Sequence, residues 1–328
     1  RRARAWPAKK DYYFAPDIAR VIAREPWDLI HCQGIHTLVP PLAMLAAVRA
    51  RIPFVLTFHT GGHSSRMRNA VRSLQWMTLR PLLARARVLI GVSTFEADFF
   101  RRTLRLPADR FVVIRNGGQL PSLDETHDVH DAHDDAPTAS AVTASQERPY
   151  PLIISIGRLE RYKGHHRVLA ALPYVRREYP DARLLILGAG PYEPELRRMA
   201  ARLGMQDATE IRMIHPTDRA GMASTLANAN VVTLLSEYEA HPVAVIEALT
   251  AHRPVLVAYT SGLQELADAG LARAIPLHSS PAEAARAIIA QLRDPLIPSD
   301  VAFPTWQECA DKLLAVYERV VGGSACAS

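Results

Sequence analysis

The chain has 328 residues, 48% of them hydrophobic and 22% charged, with a formal net charge of +6. That length suits two domains rather than one small core, and the balance is that of soluble globular proteins. Apolar runs too short to cross a bilayer argue against a transmembrane helix, three scattered cysteines (Cys32, Cys309, Cys326) against a disulfide framework or zinc site, and the mild basicity against a nucleic-acid binder. Residues 1–15 lack the apolar stretch of a signal peptide, so the expected compartment is the cytoplasm.

Residues 27–120 alternate between short apolar runs and helical segments. Strands are expected at Asp28–Cys32, Pro53–Phe58, Val88–Val92 and Phe111–Ile114, and helices at Leu42–Val48, Ser65–Arg85 and Thr94–Arg102. The second strand runs into His59-Thr60-Gly61-Gly62, and the last ends in Asn116-Gly117-Gly118. Residues 121–150 break the pattern: Asp124–Asp135 is acidic, with His127, His130 and His133, and an Ala/Thr/Ser-rich run follows. This reads as a linker or insertion whose charges are solvated, and no metal site is expected there or elsewhere.

A second alternation starts at the strand Leu152–Gly157. Further strands are expected at Arg183–Gly188, Ile211–Ile214, Val231–Leu235 and Pro254–Ala258. Helices are expected at His165–Tyr179, Glu193–Leu203, Arg219–Ala229, Pro242–Thr250, Pro281–Leu292 and Trp306–Val321. Strands alternating with helices predict parallel sheets. The expected division is a first α/β domain over 1–120, the linker 121–150, a second α/β domain over 151–304, and a C-terminal helix over 305–328 that crosses back to the first domain. Ligands belong at the carboxyl ends of the strands, in a cleft between the domains.

Two stretches carry chemistry. In the first, Glu239-Ala240-His241-Pro242-Val243 leads from a buried strand into a helix that bears Glu247. Pro242 suits a first helical position, and Glu247 would then lie about one and a half turns in. A helix start offers unpaired N–H groups and partial positive charge to a phosphate, with Glu239 beside it. In the second, Gly157-Arg158-Leu159-Glu160-Arg161-Tyr162-Lys163-Gly164 follows a strand and sets two cations across a loop whose glycines admit close approach. Arg161 reads as solvated. Leu187-Gly188-Ala189-Gly190-Pro191 lacks the third glycine of a dinucleotide fingerprint and reads as a tight strand-to-helix turn.

Together these residues resemble the retaining GT-B glycosyltransferases of family GT4. The matching motifs are Glu-x7-Glu at Glu239 and Glu247, Gly-Arg-Leu-x-x-x-Lys-Gly at 157–164 and Gly-x-Gly-Pro at 188–191. The resemblance spans roughly residues 27–320 and implies a GT-B fold of two Rossmann-like domains. The implied enzyme is of the hexosyltransferase type. It moves a sugar from a nucleotide-diphosphate donor to an acceptor hydroxyl, with retention at the anomeric carbon and with neither metal nor cofactor. On this resemblance Arg158, Lys163 and the helix start near Val243 hold the diphosphate, Gly157, Ala240, His241 and Pro242 belong to the same donor site, Gly188 stands near the nucleotide, Met213 and Ile214 line the base pocket, Glu247 holds the ribose, and Glu239 orients the donor sugar. His59 hydrogen-bonds either the sugar or the phosphate, and the leaving phosphate takes the acceptor proton.

The chain also departs from the family pattern. The strand, Gly-Gly loop and further elements that open the family's first domain are absent, so about seventy N-terminal residues are expected to be missing and the first domain to be incomplete. The glycine-rich stretch that follows the loop Tyr259–Gly262 is reduced to Ala269-Gly270-Leu271-Ala272-Arg273. Arg66, Arg68, Arg72, Arg80 and Arg85 accompany Met67, Val71, Leu74, Trp76 and Met77. A packed helix with a solvated Arg face accounts for that pattern. If it instead lies on an anionic bilayer, at the inner face of the membrane, the acceptor is expected to be a lipid or a lipid-linked sugar. Two other functions fit the same motifs: a non-catalytic or truncated nucleotide-sugar-binding module, and another GT-B enzyme such as a sugar phosphorylase or nucleotide-sugar epimerase.

Overall fold

A computed structural model of the chain describes residues 15–60, 66–118, 120, 150–299 and 301–325, with side chains left undescribed at 66–73 and 324–325. Two compact units result, the first from Arg1–Gly117, Glu239–His241 and Pro304–Ser328, the second from Gly118–Tyr238 and Pro242–Phe303.

The first unit is built from α1 (Asp17–Arg24), β1 (Ile30–Gln33), α2 (Val39–Ala50), β2 (Phe54–Thr57), α3 (Arg66–Leu83), β3 (Val88–Gly91), α4 (Thr94–Leu104), β4 (Phe111–Val113) and the C-terminal helix. Its four strands form a parallel sheet in the order β1-β2-β3-β4. Alternation along a strand sends successive side chains to opposite faces. Phe54, Leu56 and Leu89 join Met44, Leu83 and Phe100 on one face, whereas Val55 and Ile90 meet Val316 and Val320 on the other. Phe58 stacks on Phe100, with ring centroids 3.7 Å apart.

The second unit runs β5 (Leu152–Ile156), α5 (His165–Val175), β6 (Arg183–Leu187), α6 (Glu193–Arg202), β7 (Thr209–Arg212), α7 (Arg219–Ala227), β8 (Val231–Leu234), α8 (Val243–Thr250), β9 (Val255–Ala258), α9 (Ser261–Asp268), β10 (Arg273–Ile275) and α10 (Pro281–Arg293). The helix α11 (Trp306–Ala325) closes the chain and belongs to the first unit. The six strands are parallel in the order β10-β9-β8-β5-β6-β7, with apolar clusters on both faces. Such burial explains the near-continuous apolar strands β5, β8 and β9. Strand order reverses between β5 and β8, and the carboxyl end of that reversal is the usual ligand position of an open α/β sheet.

The expected elements recur with shifted ends. The strand expected at Ile211–Ile214 lies instead at Thr209–Arg212, because β7 pairs with β6 in the register Leu184↔Thr209 to Leu187↔Arg212. Met213 and Ile214 therefore stand beyond the strand. The reduced glycine stretch around Ala269–Arg273 leads into β10, at the edge of the sheet. No helix among the described residues is long and apolar enough to cross a membrane.

Candidate functional site

In the second unit, three loops leave the ends of β5, β6 and β8 and are drawn together by glycines. Gly157 has φ +142° and its N–H donates to the Leu187 carbonyl oxygen at 3.0 Å. At Gly188, φ +155°, a Cβ would stand 1.9 Å from the Gly157 carbonyl oxygen. At Gly164, φ +78°, it would stand 1.9 Å from that of Leu235. Only glycine fits such approaches. The Tyr162 carbonyl also accepts from the Glu237 N–H at 2.7 Å, and the Ser236 hydroxyl donates to the Lys163 carbonyl at 3.3 Å. On this scaffold Arg158 is exposed and Lys163 half-buried.

His165 lies fully buried below that loop, with Nε2 3.1 Å from the Arg158 carbonyl oxygen and Nδ1 2.8 Å from the Ser155 hydroxyl. A carbonyl only accepts, so Nε2 carries the hydrogen and Nδ1 accepts from Ser155. Burial pushes this imidazole down to about 4, leaving a neutral strut under Arg158.

The helix α8 begins one residue later than the sequence suggests. Pro242, with φ −85° and ψ 78°, is the N-cap and Val243 the first helical residue. The Pro242 carbonyl accepts from Val245 and Ile246 N–H groups, while the first N–H groups of the helix have no intrahelical acceptor. Glu247 is then the fifth residue of α8, one turn in rather than one and a half. It is nearly buried, and Arg219, at the start of α7, donates to its Oε1 at 2.7 Å. Burial raises the Glu247 carboxyl above the ordinary carboxylate range, and Arg219 opposes that rise.

Glu239, Ala240 and His241 belong to the first unit. Glu239 and Ala240 are buried, and the Nε2 of His241 lies 3.2 Å from the Asn116 carbonyl oxygen. Burial pushes His241 down to about 4. At the sheet end of this unit, His59 adopts a left-handed backbone, φ +46°. Its Nε2 is 2.6 Å from Gln33 Oε1, and its carbonyl accepts from His36 Nε2 at 2.7 Å. Burial lowers its basicity. The next residue is held by Glu96, whose carboxylate is wholly buried and accepts from the Thr60 N–H at 2.6 Å, from the Thr60 hydroxyl and from the Val92 N–H at 2.9 Å. Burial raises the Glu96 carboxyl, and these donors counter it. A cavity of about 230 Å³ here is lined by Gln33, His59, Asn116, Trp306 and Leu313 among others.

Two family profiles match the chain: "Glycosyl transferases group 1" over residues 141–303 and "Glycosyltransferase Family 4" over residues 2–118. The phosphatidyl-myo-inositol mannosyltransferase of Mycobacterium tuberculosis is 26% identical over 94% of this chain and 78% of its own length. The D-inositol 3-phosphate glycosyltransferase of Jonesia denitrificans is also 26% identical, over 94% and 76%. Among solved structures, Anabaena HepE in complex with UDP-glucose superimposes with a TM-score of 0.64 at 19% identity, covering 96% of this chain and 83% of that one. Sucrose-phosphate synthase from Thermosynechococcus elongatus gives a TM-score of 0.68 at 20% identity, covering 93% and 76%.

The chain is a family 4 glycosyltransferase. Its fold is GT-B, as in the structural neighbours.

In this glycosyltransferase, Gly157, Arg158, Lys163 and Gly188 gather at the strand ends of the second unit, and Val243 and Glu247 share one helix. Met213 is exposed, and Ile214 packs on the core and lines a groove of about 600 Å³ beside β7 and α7 that contains none of the other site candidates. Gly61, Gly62, His63 and the linker at 121–149 lie outside the described residues, as do the side chains of Arg66, Arg68 and Arg72. Of the basic helix, Trp76 packs against Phe99 and Phe100 while Leu74 and Met77 are exposed. Sequence reasoning did not find His165, Arg219, Gln33 or Glu96. A histidine directly after Lys163-Gly164 was the one local hint; each of the others has a defining partner 26 to 36 residues away.

Proposed function

We propose that the enzyme uses a nucleotide-diphosphate sugar as donor and transfers the sugar with retention to an acceptor hydroxyl. The observation that carries this reading is the glycine-fixed loop bearing Arg158 and Lys163 at the point where strand order reverses. Two fixed cations and the N–H groups at the start of α8 offset the charge that grows on a departing diphosphate without a metal ion. Gly157 and Gly188 let the loop backbones close tightly beneath the diphosphate position, and Ala240, His241, Pro242 and Val243 form the approach to the helix start. Glu247 accepts from the ribose hydroxyls and Glu239 from hydroxyls of the donor sugar. Met213 and Ile214 meet the base, and His59 is a substrate contact. The leaving phosphate takes the acceptor proton on the same face. UDP and UDP-glucose are bound by the structural neighbour HepE, which supports a donor of this class here. The exposed Leu74 and Met77 on an Arg-bearing helix support a peripheral contact with the cytoplasmic face of a membrane and a lipid-linked acceptor.

A thermal-shift panel of UDP, GDP and ADP identifies the nucleotide. Turnover of the corresponding nucleotide sugar should then fall by at least about tenfold in Arg158→Ala and in Lys163→Ala, since a charge-assisted contact is worth about 1.5–3 kcal/mol. Full activity in the double variant, or an inverted anomeric proton signal in the product, would refute the mechanism. Sugar 1-phosphate formed from added inorganic phosphate would favour the phosphorylase reading.

A further inference from the structure

The His59 ring is expected to meet either a phosphate oxygen or a sugar hydroxyl, and its hydrogen-bond partners bear on which. Gln33 ends β1 and His59 follows β2, adjacent strands in the register Gln33↔Thr57. The His59 Nε2 to Gln33 Oε1 distance is 2.6 Å, and the Gln33 Nε2 faces the His31 ring at 3.3 and 3.4 Å. His31 is in turn bound by Thr57 Oγ1 at 2.8 Å and by Tyr317 Oη of α11 at 2.5 Å. An amide oxygen only accepts, so the hydrogen of His59 lies on Nε2 and the lone pair on Nδ1. The left-handed backbone from which the ring projects is pinned by His36 on one side and by Thr60 held to Glu96 on the other. Titratable and charged groups around this ring come from every element near it: His31 with Tyr317 of α11 beside it, His36, Glu96, His241 with Arg115 beside it, and Cys309 of α11, which lines the same cavity.

We propose that Gln33 is a positioning residue that holds His59 as its Nε2–H tautomer, so that Nδ1 accepts a hydrogen bond from a substrate sugar hydroxyl and does not serve a phosphate oxygen. A bare lone pair repels an anionic oxygen, whereas a hydroxyl can donate to it. The proposal rests on His59 being a substrate contact.

The test is long-range 1H–15N NMR of the imidazoles in the full chain, with His59→Gln to assign the signals. It is paired with release of nucleotide diphosphate from UDP-glucose or GDP-mannose in water. In the wild type the His59 Nδ1 signal should fall in the unprotonated range, and Gln33→Leu should give a mixture of tautomers. Gln33→Glu places a carboxylate beside the ring, so the acid limb of kcat should move up by about one pH unit. Nucleotide-diphosphate affinity should stay within about twofold, because the base and diphosphate groups are untouched. A protonated Nδ1 in the wild type, an unchanged spectrum in Gln33→Leu, or an unmoved acid limb in Gln33→Glu overturns the tautomer lock. Wild-type kcat in His59→Gln instead overturns the substrate contact, and with it the role of Gln33 in transfer.

Discussion

The two sheets place their candidate groups at the same topological position, the carboxyl ends of parallel strands, but they fix them by different means. The second unit uses glycines: backbone meets backbone at Gly157, Gly164 and Gly188 with no room for a Cβ, and His165 props the loop from below. The first unit uses side chains. Glu96 collects donors from Thr60 and Val92, and Gln33 joins His59 to His31 and through it to Tyr317. A glycine cradle is rigid because alternatives are sterically closed. A polar relay is rigid only while every partner is present, and each of its members titrates or can be replaced.

The largest effects should come from refilling the cradle. Gly188→Ala and Gly164→Ala each set a methyl group 1.9 Å from a carbonyl oxygen at a positive φ. The neighbour is backbone, so no rotamer change relieves it. Each should cost at least about 3 kcal/mol in urea unfolding and abolish measurable transfer. Gly204→Ala is the control. Its φ is also positive, +66°, but nothing lies within 4 Å of its added Cβ, so its cost should be about 1 kcal/mol of backbone strain. Equal losses at all three positions would mean that conformation, not close approach, explains these glycines.

The relay should break by a different route. Glu96→Leu leaves the buried Thr60 and Val92 N–H groups without their acceptor. Each such loss is worth about 1–3 kcal/mol, so a total of about 3 kcal/mol is expected. Glu96→Gln keeps one acceptor oxygen and should recover roughly half of it. A Gln variant as unstable as Leu would show that the charge, and not the acceptor geometry, holds the loop.

This difference in means also decided what could be read without coordinates. The cradle is local: Gly157, Arg158, Lys163 and Gly164 fall within eight consecutive residues, and strand, glycine and cation follow one another as spacing alone suggests. The alternation of strands and helices was legible for the same reason, since it follows from hydrophobic period over short windows. Ends were less legible. The start of α8 slipped by one residue because Pro242 is compatible with either the cap or the first helical position, and β7 slipped because an edge strand with mixed burial has no sharp apolar boundary. The relay was illegible because its bonds join residues far apart: 36 positions for Glu96 and Thr60, 286 for His31 and Tyr317. The sequence holds 13 histidines, and no local pattern distinguishes those that face a partner.

Histidines offer a milder probe of the same contrast. His165 in the cradle and His31 in the relay are both pushed down to about 4, chiefly by burial. Each is neutral in the native state, while the unfolded chain takes up a proton near pH 6.5. Stability should therefore be full above that pH and fall progressively as pH drops from about 6.5 to about 4. His165→Gln removes one such group and should flatten the decline in the urea midpoint across that window. His31→Gln should flatten it by a comparable amount if the relay stays as closed to water as the cradle. A slope unchanged in His31→Gln but reduced in His165→Gln would show that the relay opens and hydrates before the fold is lost.

The smallest expected effect lies at Glu247, where burial and pairing oppose one another. The carboxyl is raised by its surroundings and restrained by Arg219, which is itself 39% exposed. An acid raised in the native state contributes stability that is full below its unfolded pKa and is lost as pH rises from there through the folded value. Arg219→Ala removes the restraint and raises the carboxyl further. The difference between variant and wild type should therefore be slight under acid conditions and grow toward neutral pH. It should reach only about 1 kcal/mol, because solvent screens a partner so exposed. If Glu247 takes up ribose hydroxyls, added nucleotide diphosphate should recover less stability in Arg219→Ala than in the wild type at neutral pH, since part of its binding energy then goes into ionising a buried acid. A variant that binds nucleotide as tightly as the wild type, with stability independent of pH, would mean that the Arg219 pair is a surface contact and that Glu247 is ionised by other means.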